Sequence, residues 1–246
     1  MILPSAYGQN VEDYEVETVK NPSTASVRGS SDPDLPQIAD LIVTYSNEFR
    51  KKMGRQKVAT GPELREATQY FANYMARTDA YGHAADGNRP SERAKQHGYE
   101  YCIVSENIAY QYRPIGSTTK ALAKGFFQGW KHSPDHRKNL LDPAVTEIGV
   151  AVAQSEETGF YYAVQMFGRP RSNSIEFSIE NQLGSAVRYR IDTRTFSLPP
   201  RYTRMHRQCR PSPLIFQWQG RGKTIQPQQG KQYIVMRDKS GQLKIK

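Results

Sequence analysis

The chain predicts an α+β fold, in which a helical region passes into paired strands and is followed by a small all-β, sandwich-like domain. Three observations carry this. Apolar residues recur at helical spacing through much of residues 35–141. Two β-rich runs joined by a polar turn follow, up to Arg171, and beyond it short alternating runs are separated by turn residues with no helical period. At 246 residues there is room for a medium domain and a smaller partner, without covalent staples.

Residues 1–33 mix acidic pairs with the Ser/Pro/Gly-rich stretch NPSTASVRGSSDPD and read as a tail or linker. From Leu35 the residues Ile38, Leu41, Ile42, Tyr45 and Phe49 mark one face of a helix that reaches Met53 and ends at Gly54. A second helix starts with Thr60 or Gly61 as cap and Pro62 in its first turn. RPSERAKQHGY suits a short third helix capped by Ser91 and stopped by Gly98, and STTKALAKGFFQGWKH a fourth. Ser133–Pro134 is an N-cap and first-turn pair, which places His136 in the first turn of a fifth. TEIGVAVAQ and FYYAVQMFG, joined by SEETG, form a hairpin that closes the domain spanning 34–171. In 172–246 the runs SIEFSIEN, AVRYRI, LIFQW, QYIVM and LKI predict the β domain.

A hydrophobic share of 37% places the chain with folded proteins rather than disordered ones. No apolar run is long enough to span a membrane. The opening MILPSAYGQN has neither the basic start nor the apolar run of a secretory signal. Cys102 and Cys209 are the only cysteines, too few for a zinc site of their own and open to reading as two thiols or as one bridge.

The net charge of +10 is unevenly spread: residues 1–171 carry 20 basic and 20 acidic residues, residues 172–246 carry 14 and 4. In the basic region Arg188 and Arg190 alternate on one strand face, and Arg201, Arg204, Arg207 and Arg210 follow without a strand period. This is either a solvated basic face or a surface that grips phosphate or carboxylate polymers, among which cell-envelope polymers come ahead of nucleic acid only if the chain is secreted.

The candidate site residues are far apart in sequence. His83 precedes the Asp86–Gly87 turn and alone would read as a surface loop histidine. Glu106 sits in VSENIAY among Val104, Ile108 and Ala109; so placed, its carboxylate needs a metal, hydrogen-bond donors or a cation such as arginine. His132 and His136 have i,i+4 spacing, but Ser133–Pro134 starts a new helix between them, so His136 is the candidate and His132 an exposed neighbour. The macrodipole at a helix N-terminus disfavours an imidazolium and would keep His136 neutral.

HAADG, Arg93 with HGY, ENIA, GW, SPDHRKNLL, TEIGVAVA and YYAVQMFG, in that order, resemble the CAP superfamily of cysteine-rich secretory, antigen 5 and pathogenesis-related proteins, in particular its bacterial SCP-like branch. The resemblance covers roughly Leu35–Arg171 and implies an α-β-α sandwich with a cleft where two histidines and two acids meet, in some members around zinc. It assigns His83, Glu106 and His136 to that site. The second acid has no counterpart, since Trp130 is followed by Lys131, His132 and Ser133; Ser105 and Asp135 also stand where glycine is usual. The resemblance implies a secreted or periplasmic binding or effector protein whose cleft holds zinc or another divalent metal, a lipid or a peptide. The alternative it leaves open is a metal-assisted, protease-like hydrolase using the same three residues.

Overall fold

The computed structural model describes residues 17–18, 32–112, 118–218 and 221–246. It divides into two compact units at Pro170/Arg171. None of the described helices is long and apolar enough to cross a membrane.

The first unit runs β1 (Glu17–Thr18), α1 (Leu35–Lys52), β2 (Ala59–Thr60), α2 (Pro62–Thr78), β3 (Ala80–Tyr81), α3 (Pro90–Gln96), β4 (Tyr101–Gln111), α4 (Thr119–His132), α5 (Pro134–Leu140), β5 (Glu147–Gln154) and β6 (Tyr161–Pro170). Its central sheet has the order β2-β5-β6-β4, with β5, β6 and β4 antiparallel, so β4 is an edge strand. Within residues 1–33, Glu17 and Thr18 pair with Tyr81 and Ala80; the remainder of that predicted tail up to residue 31 lies outside the described residues.

The sheet alternates cleanly between two helical layers. Ala151 and Ala153 of β5 and Val164 and Met166 of β6 share a buried cluster with Leu64, Phe71 and Met75 of α2 and Ala94 of α3. Gln165, of opposite parity, donates instead to Ser46 of α1, which packs on α4. The result is the α-β-α sandwich. Gly149 sets how closely α2 can approach: a Cβ there would fall 2.4 Å from the Leu64 carbonyl carbon. At the far end of α2, Asp79 adopts φ 50 as the C-cap. Its buried carboxylate accepts from the hydroxyls of Ser155, Thr158 and Tyr162, tying the helix end to the β5–β6 hairpin.

Local chemistry differs from expectation at three points. The third helix is capped by Arg89 rather than Ser91, because Pro90 occupies its first position. Ser133 is the N-cap residue of α5, yet its side chain makes no cap hydrogen bond. The strand β4 had no sequence prediction, because Ser105, Glu106 and Asn107 interrupt its apolar alternation with polar side chains that are nonetheless buried.

The second unit is a sandwich of two four-stranded sheets. One has the order β10 (Thr203–Gln208), β7 (Ile175–Asn181), β13 (Lys231–Arg237), β14 (Leu243–Ile245); the other β12 (Arg221–Ile225), β11 (Leu214–Trp218), β8 (Val187–Ile191), β9 (Arg194–Leu198). Phe177, Ile179, Tyr233 and Val235 from the first meet Val187, Tyr189, Leu214 and Phe216 from the second in one core. Strands β9, β10 and β12 go beyond the five predicted; their exposed faces are rich in Arg, Thr and Lys, which hides the period of two.

Candidate functional site

Arg93, at the fourth position of α3, is completely buried with its guanidinium 3.4 Å above the Phe71 ring. One side of the fork donates to Asp86 Oδ1 and to the Asn88 carbonyl. The other donates to both carboxylate oxygens of Glu106, at 3.2 and 3.0 Å, and to the His83 carbonyl. His83, 4% exposed, adds Nδ1–H to Glu106 Oε1 at 2.8 Å. A carboxylate can only accept here, so the bond fixes the proton on Nδ1 and leaves Nε2 as the other ring nitrogen. The loop carrying His83 is therefore held by α3 and β4 together, and His83 is no surface histidine.

Glu106 and Arg93 lie on the α2–α3 side of the sheet, whereas His136 comes from α5 on the other side. They approach because β4 is an edge. Its outward carbonyls are closed by side chains: Asn139 Nδ2 donates to Glu106 O, and Trp130 Nε1 and Tyr81 Oη both donate to Ile108 O. Asn107 continues the seam, donating to Gln165 Oε1 and the His136 carbonyl and accepting from Asn139. These bonds seat α5 against the strand and fix His136, which is fully buried.

His136 Nδ1 stands 2.9 Å from Ser133 Oγ, while its buried Nε2 has no hydrogen-bond partner among the described residues. Burial, and secondarily the nearby His83, lowers its pKa from 6.5 to about 4. The imidazole is thus neutral, as the sequence led us to expect, but desolvation rather than the helix dipole is the main cause. His132 ends α4 and is exposed.

The cysteine-rich secretory protein (CAP) family model matches residues 43–167, half of the chain. This chain belongs to the CAP family. The YkwD protein of Bacillus subtilis (strain 168) is 25% identical over 166 residues, which cover 67% of this chain and 59% of YkwD, so the match spans less than two thirds of that relative. An outer surface protein of Borrelia burgdorferi aligns with a TM-score of 0.49 and 17% identity, covering 56% of this chain and 96% of its own. An SCP-domain extracellular protein of Bacillus anthracis str. Ames aligns at 0.48 and 22%, covering 57% and 45%.

In the CAP unit, then, His83 and Glu106 meet directly, and His136 is near enough for His83 to be the second cause of its lowered pKa. The three do not fit a three-ligand zinc centre as arranged, because the carboxylate is engaged by Arg93 and His83. Among the described residues no group of three or more His, Cys, Asp and Glu side chains is arranged to hold a metal ion. Arg93 and Ser133 are the site residues that sequence reasoning left out of the constellation. Their signals were the need of a buried carboxylate for a cation, and the presence of His132 and Ser133 after Trp130 where the resemblance implies a second acid.

The basic residues of the β unit do not form one stripe. Arg188 and Arg190 share the exposed face of β8, where Val187, Tyr189 and Ile191 are buried. Arg204 and Arg207 lie on β10 in the other sheet; Arg204 is over the Phe196 ring and Arg207 pairs with Glu176. Arg201 precedes β10 and Arg210 follows it, both exposed.

Two predictions follow from the geometry of the CAP unit. Replacing Arg93 with Met, which keeps length and apolar contact, strands two buried carboxylates and is expected to cost about 3–5 kcal/mol in urea unfolding; Lys, lacking the fork, restores little. A loss below about 1 kcal/mol would show that Arg93 is not the hub. For His136 the lowered folded pKa means that only the unfolded chain takes up this proton between about pH 6.5 and 4. Stability attributable to it therefore falls as pH drops through that window, by about 3 kcal/mol, and levels below it. His136→Gln should flatten this segment of the pH profile, and a His136 proton resonance titrating near 6.5 would contradict the assignment.

Proposed function

We propose that this chain is a secreted binding or effector protein whose CAP unit takes a small polar ligand at the edge of β4, through the His83–His136 pair. The observation that carries this is the unspent Nε2 of a buried, neutral His136. A buried ring nitrogen without a partner costs about 1–3 kcal/mol, which a ligand hydrogen bond recovers. Glu106 and Arg93 support the pair from behind and are not the contact surface. The metal-assisted hydrolase alternative is less well supported, because Glu106 would first have to leave Arg93.

The test combines thermal shift and calorimetry on the full chain. A panel of polyols, sugars and amino acids is screened for stabilisation; a ligand present at about 100 times its Kd adds about 2.7 kcal/mol. At least one class is expected to stabilise the parent chain but not a folded His136→Ala variant, and zinc chloride is expected to give no saturable heat at the cleft. If no compound stabilises in a His136-dependent manner, the reading fails. If zinc binds at one equivalent and both His136→Ala and Glu106→Gln abolish it, the cleft is a metal centre instead.

A second reading concerns the β unit and is favoured by the paired exposure of Arg188 and Arg190 beside a neutral share of charge elsewhere. It attaches the chain to an anionic cell-envelope polymer. Retention on an acidic matrix should weaken steeply with salt and drop in the Arg188→Gln/Arg190→Gln variant. Salt-insensitive retention would count against it.

A further inference from the structure

The helices α1 and α4 enclose a groove of about 360 Å³ whose lining includes neither of the two site histidines nor any residue of the β unit. Its floor is aromatic: Tyr45 and Phe127 have ring centroids 5.8 Å apart, and Phe49 meets Phe127 edge-on at 6.0 Å. Its rim is cationic. Lys120, Lys124 and Lys131 stand at positions i, i+4 and i+11 of α4, with Phe127 at i+7, so they form one stripe along the helix. Lys52 faces them from α1, where Tyr45, Glu48 and Phe49 precede it at helical spacing.

We propose that this groove binds an acidic saccharide chain. Four lysines meet one carboxylate, Glu48, within residues 1–171, whose charges balance overall, so the cations are locally concentrated. Placing Lys120 and Lys124 four apart costs a few tenths of a kcal/mol in like-charge repulsion. Among the described residues none of the four lysines is in an ion pair, although Lys131 lies 5.5 Å from the Phe49 ring centroid.

The spacing selects the occupant. At 1.5 Å per residue, Lys120 to Lys131 spans roughly 16 Å, so one carboxylate or phosphate would reach only part of the rim, whereas a chain with repeated anions reaches all of it. Ammonium groups act as point charges and do not demand the bidentate geometry that Arg would impose. The rings are recessed, Phe49 and Phe127 each 7% exposed, so they cannot insert into a bilayer, but they can receive the C–H face of a sugar ring lying between the lysines. Linear polyphosphate would use the rim and leave the floor unused.

Amine acetylation of the full chain, read by mass spectrometry with and without an oligogalacturonate of defined length, localises the contact whatever the β unit does. With ligand at about four times Kd the free groove falls about fivefold, and Lys52, Lys120, Lys124 and Lys131 should slow by that factor while Lys57 and Lys95 do not. The Lys120→Gln/Lys124→Gln/Lys131→Gln variant should lose the protection. Tyr45→Ala should weaken oligogalacturonate but not polyphosphate. Uniform slowing, protection confined to lysines beyond residue 171, or equal protection by anionic phospholipid vesicles or polyphosphate would each overturn the proposal. Because the histidine cleft takes no part in this readout, His136→Ala should leave it unchanged, so this site and the cleft succeed or fail separately.

Discussion

A single buried guanidinium organises the CAP unit around its site. Arg93 bonds two carboxylates, Asp86 and Glu106, and two loop carbonyls, of His83 and Asn88, while its plane rests on Phe71. No other side chain has a planar fork able to serve four acceptors at once. A buried ion pair of this kind contributes little net stability compared with an apolar replacement of both partners, but losing one member is severe. Its effect is geometric. It fixes the short α3 to the loop carrying His83 and to the middle of β4, and through Glu106 it sets the tautomer of His83.

The second constraint is the exposed edge of β4. An edge strand with open carbonyls invites pairing with another strand. Here the carbonyls of Glu106 and Ile108 are taken by Asn139 of α5, Trp130 of α4 and Tyr81 of β3. Sealing the edge and building the site are thus one arrangement. Asn139 lies one turn beyond His136 on α5, so the bond that closes the strand also delivers the imidazole.

Much of this was legible in the sequence, and the gaps have physical causes. The five helices show because each presents an apolar face to the core, and the β5–β6 hairpin because two apolar runs, buried on both faces, are joined by a polar turn. The strand β4 did not, because its centre is polar and buried, and period arguments treat polar residues as solvent-facing. A different reason hid three strands of the second unit: β9, β10 and β12 are mostly polar residues facing outward, so little apolar alternation shows. Glu106 was correctly seen to need a partner, but which of metal, donor or cation could not be chosen without knowing that Arg93 returns over Phe71. His83 and Glu106 converge as the family resemblance implied; their contact joins a loop and a strand 23 residues apart, which local periodicity cannot reveal.

Ser133 decides what the two imidazoles can do. A carboxylate in its place would favour the protonated form of His136 and offset the burial that opposes it. A hydroxyl carries no charge, so desolvation is left uncompensated and the pKa falls to about 4. A general acid or base works best with a pKa near the operating pH, where both protonation states are accessible. His136 holds a single state across the neutral range, with one ring nitrogen on Ser133 and the other waiting. His83 is held on Nδ1 by Glu106, whose own charge is answered by Arg93. A neutral His136, an oriented His83 and a carboxylate answered by Arg93 are the features on which the proposed recognition role rests. In the proposed recognition role, a hydroxyl rather than a carboxylate beside His136 is what leaves that imidazole neutral.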